Sequence, residues 1–214
     1  MRWYKHFGLD YVFLRHDCNI QQVPLSSISH FSNLDDLRRA ICELNCPLRR
    51  MSKNTVISDG SPGSGIMVIG EAPGQEEDEQ GKPFVGQSGQ LLDNMLKAVG
   101  IKRSDVYISN VVFWRPPGNR TPSVDEIAMC MPYVERHIML VNPKILLLLG
   151  GVAVKAVLDT SESISRIRGR KNEYKGINVV ATFHPAYLLR SPGQKQVAFR
   201  DFIQLKRQLT ALHF

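Results

Sequence analysis

Four short apolar runs, at 66–69, 105–112, 144–149 and 177–183, alternate with amphipathic stretches, and this alternation restricts the fold more than any other feature of the chain. The first run, Ile66-Met67-Val68-Ile69, is rich in β-branched residues and bounded by glycines, which is the pattern of a buried strand. The third, KILLLLG, is apolar without interruption, as strands covered on both faces are. Between the runs lie helical patterns. At 34–44, Leu34, Leu37, Ile41 and Leu44 share one face behind Ser32 or Asn33 as cap. Leu91, Leu92, Met95 and Leu96 suggest a helix at 88–99 ended by Gly100, and Ser123 with Glu126 forms a capping box for a helix to about residue 140. VAVKAVL and a basic segment at 194–212 complete the set. Strands that alternate with helices imply parallel βαβ units, an open α/β sheet with helices on both faces.

The remaining composition is that of one globular domain, with 43% apolar and 22% charged residues. Residues 1–33 read as an extension and 34–214 as the folded unit. No apolar run approaches the roughly 18 residues of a membrane span, and the start lacks the apolar core of a secretory signal, so a cytoplasmic protein without membrane contact is expected. The net charge of +7 is unevenly placed: residues 151–214 hold 11 basic residues against 4 acidic, while the rest balances. A one-sided basic excess suits a polyanion partner such as nucleic acid, or simply a solvated face.

Every unusual loop follows a strand: GEAPG, NVVFWRPPGN, Gly150-Gly151 and HPAYLLR. In open α/β sheets ligands bind there. The stretch at 70–92 has five glycines and two prolines in 23 residues, which suits a backbone passing close to a ligand. These loops offer an aromatic ring (Phe84), two amides (Asn110, Asn119), an imidazole (His184) and carboxylates (Glu71, Glu76, Glu77, Asp78), the groups that read a planar heterocycle. A Walker-type nucleotide site is the rival for the glycine-rich loop, but no GK[ST] follows it.

The runs GEAPGQEEDEQGKPFVGQSGQLLDNML, VYISNVVFWRPPGNRTP and TFHPAYLLR resemble, in order and separation, the three motif blocks of family 4 uracil-DNA glycosylases. The likeness extends from about Leu34 to Leu205. It implies a three-layer α/β/α sandwich around a central four-stranded parallel sheet, and a monomeric enzyme that hydrolyses the N-glycosidic bond of uracil flipped out of DNA. Carried over residue by residue, Phe84 stacks on the base, Asn110 pairs with its edge, and His184 stabilises charge on the leaving base. Ala72 stands where the best-known members of the superfamily have Asp, so water positioning falls to Glu71 and Asn119. Gly74 stands where other families have a Tyr that excludes the thymine methyl, and Glu77 is expected to take that space. Ser88, Pro116, Pro117 and Gly151 are expected to pinch the DNA backbone. Leu188, with Leu189 as substitute, is the expected wedge, Arg190 a phosphate contact, and Arg168 part of a basic loop against DNA.

The cysteines depart from that pattern. Family 4 members typically hold a 4Fe–4S cluster on four cysteines. Here Cys42 and Cys46 are spaced C-x-x-x-C, Trp114 stands where the third ligand is expected, Cys130 fits the fourth position, and Cys18 lies too far upstream. No resident cofactor is therefore expected; if a cluster exists, Cys42, Cys46 and Cys130 are its candidate ligands. No lysine is placed for Schiff-base chemistry, which points to a glycosylase without lyase activity. The competing readings are a non-catalytic binder of damaged or single-stranded DNA and a hydrolase of free nucleosides.

Overall fold

The computed structural model describes residues 11–16, 19–24 and 31–211. Cys18 and most of the extension expected at 1–33 lie outside the described residues. What is described of it is an antiparallel hairpin, β1 (Tyr11–His16) and β2 (Asn19–Pro24), that does not join the main sheet. Helix α1 (Leu34–Glu43) follows, capped by Asn33, whose side chain accepts from the Asp36 amide at 2.9 Å.

The main sheet begins with β3 (Ser58–Gly60) and β4 (Ile66–Gly70). Helices α2 (Gln75–Gln80) and α3 (Gln87–Ala98) lead to β5 (Tyr107–Asn110), and the long α4 (Val124–Val141) to β6 (Ile145–Leu149). Then come α5 (Gly150–Leu158), α6 (Ile164–Ile167), β7 (Asn172–Tyr174), β8 (Ile177–Thr182), α7 (Pro185–Arg190) and α8 (Lys195–Ala211). The strand order is β3-β5-β4-β6-β8-β7. The four central strands are parallel, as expected, but the sheet has six strands because β3 and β7 add short antiparallel edges to β5 and β8. Neither three-residue edge has an apolar run long enough to register as a strand in the sequence.

Alternation along the parallel strands divides the core between two layers. Met67, Ile69, Leu146 and Leu148 face one way, against Leu37 and Ile41 of α1, Val134 and Ile138 of α4, and Val154 of α5. Ile66, Val68, Ile145 and Leu147 face the other way, against Leu92 and Leu96 of α3 and Phe202 and Leu205 of α8. This is the three-layer α/β/α sandwich. The capping box at Ser123 is present in both directions, and Glu126 also receives both terminal nitrogens of Arg120 at 2.8 and 2.6 Å. Three stretches expected to be loops hold short helices. One is α2, whose acidic first turn at Glu76, Glu77 and Asp78 complements a helix N-terminus between Gly74 and Gly81. Another is α6, at the start of the basic loop that holds Arg168, and the third is α7, within HPAYLLR.

Arg168 is a correction. It was expected to offer charge to DNA, but its guanidinium turns inward: it donates to Asp201 on α8 at 2.9 to 3.1 Å and to the Val197 carbonyl at 2.7 Å, and lies 5.1 Å from the centre of the Phe183 ring. The side chains are only 16% and 3% exposed, so the pair joins the end of α6 to α8 from within the protein. Removing one member of a buried pair leaves the other charge uncompensated. Asp201→Ala is expected to lower unfolding free energy by about 3–5 kcal/mol in urea titrations, whereas substitution of the exposed Arg166 is expected to leave it nearly unchanged.

Candidate active site

The carboxyl ends of the four parallel strands open into a cleft of about 810 Å³. In the sheet β4 lies between β5 and β6, so the chain moves outward on one side of β4 and then on the other, and this reversal leaves the crevice. Each strand delivers one piece of the lining: Glu71 and Ala72 follow β4, Asn110 ends β5, Gly150 and Gly151 follow β6, and His184 follows β8.

At the floor, Gly70, Asn110 and Phe84 meet. A Cβ at Gly70 would lie 2.5 Å from Asn110 Oδ1 and 2.5 Å from Phe84 Cζ, so only glycine lets the amide and the ring close over the strand end. Asn110 is 1% exposed, and neither its Oδ1 nor its Nδ2 has a hydrogen-bond partner among the described residues. A buried polar group left unpaired costs about 1–3 kcal/mol. A buried amide with both ends free at a cleft is therefore matched to a ligand that supplies an acceptor and a donor side by side. Phe84 is 5% exposed, shares the core with Leu92 and Leu96, and presents its ring to the cleft 5.6 Å from the His184 ring at 33°. Its φ of 54° is left-handed, a conformation that strains a bulky residue by about 1–3 kcal/mol.

His184 caps α7: its Nδ1 accepts from the Ala186 amide at 3.1 Å. With Nδ1 an acceptor, the neutral ring carries its hydrogen on Nε2, a donor available to the cleft. Burial pushes its pKa down to about 4, helped by the Arg190 cation and opposed by Glu77. Glu71 moves the other way. Burial raises its carboxyl above the ordinary value, and a hydrogen bond with Thr121 opposes the rise. Asn119, left-handed at φ 56° on the turn Pro117–Asn119, accepts at Oδ1 from Arg115 Nε at 2.7 Å.

The other expected residues divide. Ser88, Pro116, Gly151 and Arg190 line the cleft; Pro117 is exposed beyond it. The Glu77 side chain lines it too, but its carboxylate is engaged by backbone amides of Gly74, Val85 and Gly86, so it braces the loop rather than standing free beside a base. Leu188 is a correction: it is fully buried between α3 and α8 and does not reach outward, because the single turn of α7 points Tyr187 and Leu189 to solvent instead. The sequence did not single out Thr121, or Lys155, which lines the cleft from α5 where no lysine was expected.

Among the described residues the cysteines do not make up the four-ligand set of the cluster that the family resemblance implies. Cys46 and Cys130 are buried side by side and hydrogen-bonded, a contact that lowers the Cys46 pKa and, with burial, raises that of Cys130. Cys42 is exposed. Trp114 is fully buried, with its indole N–H on Thr55 Oγ1 at 3.0 Å. Among the described residues no three His, Cys, Asp or Glu side chains converge as a metal site.

Comparison with known proteins agrees with this geometry. A model of the uracil DNA glycosylase superfamily matches residues 57–205. The type-4 uracil-DNA glycosylase of Pyrobaculum aerophilum is 41% identical over 155 residues, 69% of this chain and 79% of the relative. That of Thermotoga maritima is 43% identical over 148 residues, 68% and 77% of the two chains, and that of Sulfurisphaera tokodaii 40% over 170 residues, 75% and 77%. The chain belongs to the uracil-DNA glycosylase superfamily and is an enzyme of its type-4 branch. Among the described residues no helix is long and apolar enough to cross a membrane.

The two histidines held neutral by burial, His184 and His137, both at about 4 against an ordinary 6.5, give a signed expectation. Between those values the unfolded chain binds protons that the folded one does not, so their contribution to stability is complete above about 6.5 and is lost as pH falls towards 4. The urea midpoint is expected to drop from pH 7 to pH 5, and to drop less in His184→Ala.

Proposed function

We propose that this chain excises uracil from DNA by hydrolysis of the N-glycosidic bond, leaving an abasic site, with the domain at 34–214 carrying the activity. The observation that carries the reading is the unpartnered Asn110 amide at the floor of the cleft. Its oxygen accepts from the uracil N3–H and its NH2 donates to O4. Cytosine presents the opposite pattern there and leaves both ends unpaired. Phe84 stacks on the base. His184 donates its Nε2 hydrogen to O2 as the C1′–N1 bond breaks and its electron pair moves onto the base, the kind of stabilisation that commonly dominates such steps. The low pKa of His184 keeps it a neutral donor at physiological pH.

The sugar becomes cation-like and water adds to C1′. Glu71, ionised above its raised pKa, holds that water and accepts its proton, with the Asn119 NH2 as second contact, while Ala72 leaves the room that a larger side chain would fill. Glu77 holds the loop that carries Phe84, and Gly74 beside it remains the place where a thymine methyl is tested. Ser88, Pro116 and the amides at Gly151 grip the phosphates flanking the flipped nucleotide, with Arg190 nearby and Pro117 at the rim. Tyr187 and Leu189, rather than Leu188, enter the vacated stack. The chain acts without an iron–sulfur cluster, Trp114 occupying that part of the core. Anaerobically purified protein with about four irons per chain would overturn this last point.

Incubation with an oligonucleotide holding one deoxyuridine, followed by alkali, is expected to cut the strand at that position, and His184→Ala to slow single-turnover excision by about 10²- to 10³-fold. Binding without alkali-labile scission would make the chain a DNA binder instead. Because Lys155 lines the cleft, borohydride is included, and no trapped protein–DNA adduct is expected. The acidic limb of kcat/KM is expected to lie above the ordinary glutamate pKa, since protonation of Glu71 removes the base, and to disappear in Glu71→Gln.

A further inference from the structure

Arg103 does not itself line the cleft, yet it is bonded to the two peptide groups that carry the stacking ring. It follows α3 in the turn Arg103–Asp105, and its Nη2 donates to the Pro83 carbonyl at 2.8 Å while Nη1 donates to the Phe84 carbonyl at 2.9 Å. The guanidinium is itself fixed from behind. Asp59 on β3 accepts from Nε and Nη2 at 3.1 and 2.9 Å, and Asp93 on α3 accepts from Nη1 at 3.0 Å. On the other side of Phe84 the polarity is reversed: Glu77 Oε1 accepts from the amides of Val85 and Gly86, both at 2.9 Å. A cation thus holds the carbonyls of the peptide groups on both sides of the ring residue, and an anion holds the N–H of the second of these and of the peptide after it.

Between them Phe84 sits at φ 54°, a region that a bulky residue leaves unless its surroundings over-determine it. The remaining constraint is steric, for a Cβ at Gly89 would lie 1.9 Å from the Phe84 carbonyl oxygen, so α3 starts directly against that peptide group. If the carbonyls are released, φ relaxes to negative values and the Cα–Cβ bond swings the ring away from its place 5.6 Å from the His184 ring.

We propose that Arg103 is a positioning residue for excision, which sets the plane of the Phe84 ring through the main chain at Pro83 and Phe84; this rests on the reading of Phe84 as the stacking platform. The guanidinium fork suits the task, since it reaches two carbonyls and two carboxylates at once, whereas a lysine offers one compact charge.

The test is a double-mutant cycle on single-turnover excision of deoxyuridine from an oligonucleotide, with duplex affinity and thermal unfolding measured alongside. Arg103→Met is expected to slow excision by about a hundredfold, the scale of a misplaced reacting group, with duplex affinity retained. Arg103→Lys is expected to fall between Arg103→Met and the parent. In the Phe84→Ala background, Arg103→Met is expected to add no further loss, because the ring it positions is gone. An undiminished loss in that background, or full activity of Arg103→Met, would overturn the proposal while leaving the site intact. Full activity of Phe84→Ala would overturn the platform reading itself, and the proposal with it. Should Arg103→Met fail to fold, the same cycle with Arg103→Lys decides between additive and non-additive effects.

Discussion

The space that a side chain at residue 70 would need is taken by two others, the amide of Asn110 and the ring of Phe84, and the cleft depends on that crowding. The amide arrives from the end of β5, fixed by the parallel register in which Gly70 pairs with Asn110. The ring arrives from a loop 14 residues downstream of Gly70, folded back over the strand end. Neither group finds a polar partner or an open conformation by being there: the amide is buried and unpaired, and Phe84 is left-handed. Local strain and unpaired polarity at a cleft mark a surface made complementary to something other than the protein itself.

Electrostatics in the cleft follows from the same burial. Loss of water disfavours whichever form is charged, so His184 is driven towards neutrality and the Glu71 carboxyl upward. One is left an uncharged ring with its donor hydrogen on Nε2, and the other a carboxylate more basic than that of a free glutamate. Both effects need the floor to stay closed, which links them to the packing at Gly70.

The central part of this arrangement was legible in the sequence because it is written in local pattern. Four apolar runs and a capping box define the parallel strands and α4, and the glycine-rich and proline-rich loops mark the carboxyl edge. What was not legible depends on direction. Leu188 and Leu189 are indistinguishable in the sequence, but one turn of α7 sends the first into the core and the second to solvent. Arg168 sits in a basic run like its neighbours, and only the approach of α8 with Asp201 reveals it as an interior ion pair. Arg103 carries no motif at all; two of its partners are main-chain carbonyls 19 and 20 residues away, which no side-chain pattern encodes.

The most direct measurement of whether the Asn110 amide reads the base is the equilibrium binding of free uracil and free cytosine to the intact protein, and to an Asn110→Leu variant of similar shape. Uracil is expected to bind the parent protein and cytosine to bind far more weakly, with the leucine variant losing the discrimination. Equal affinity for the two bases, or uracil selectivity that survives in Asn110→Leu, would contradict that role.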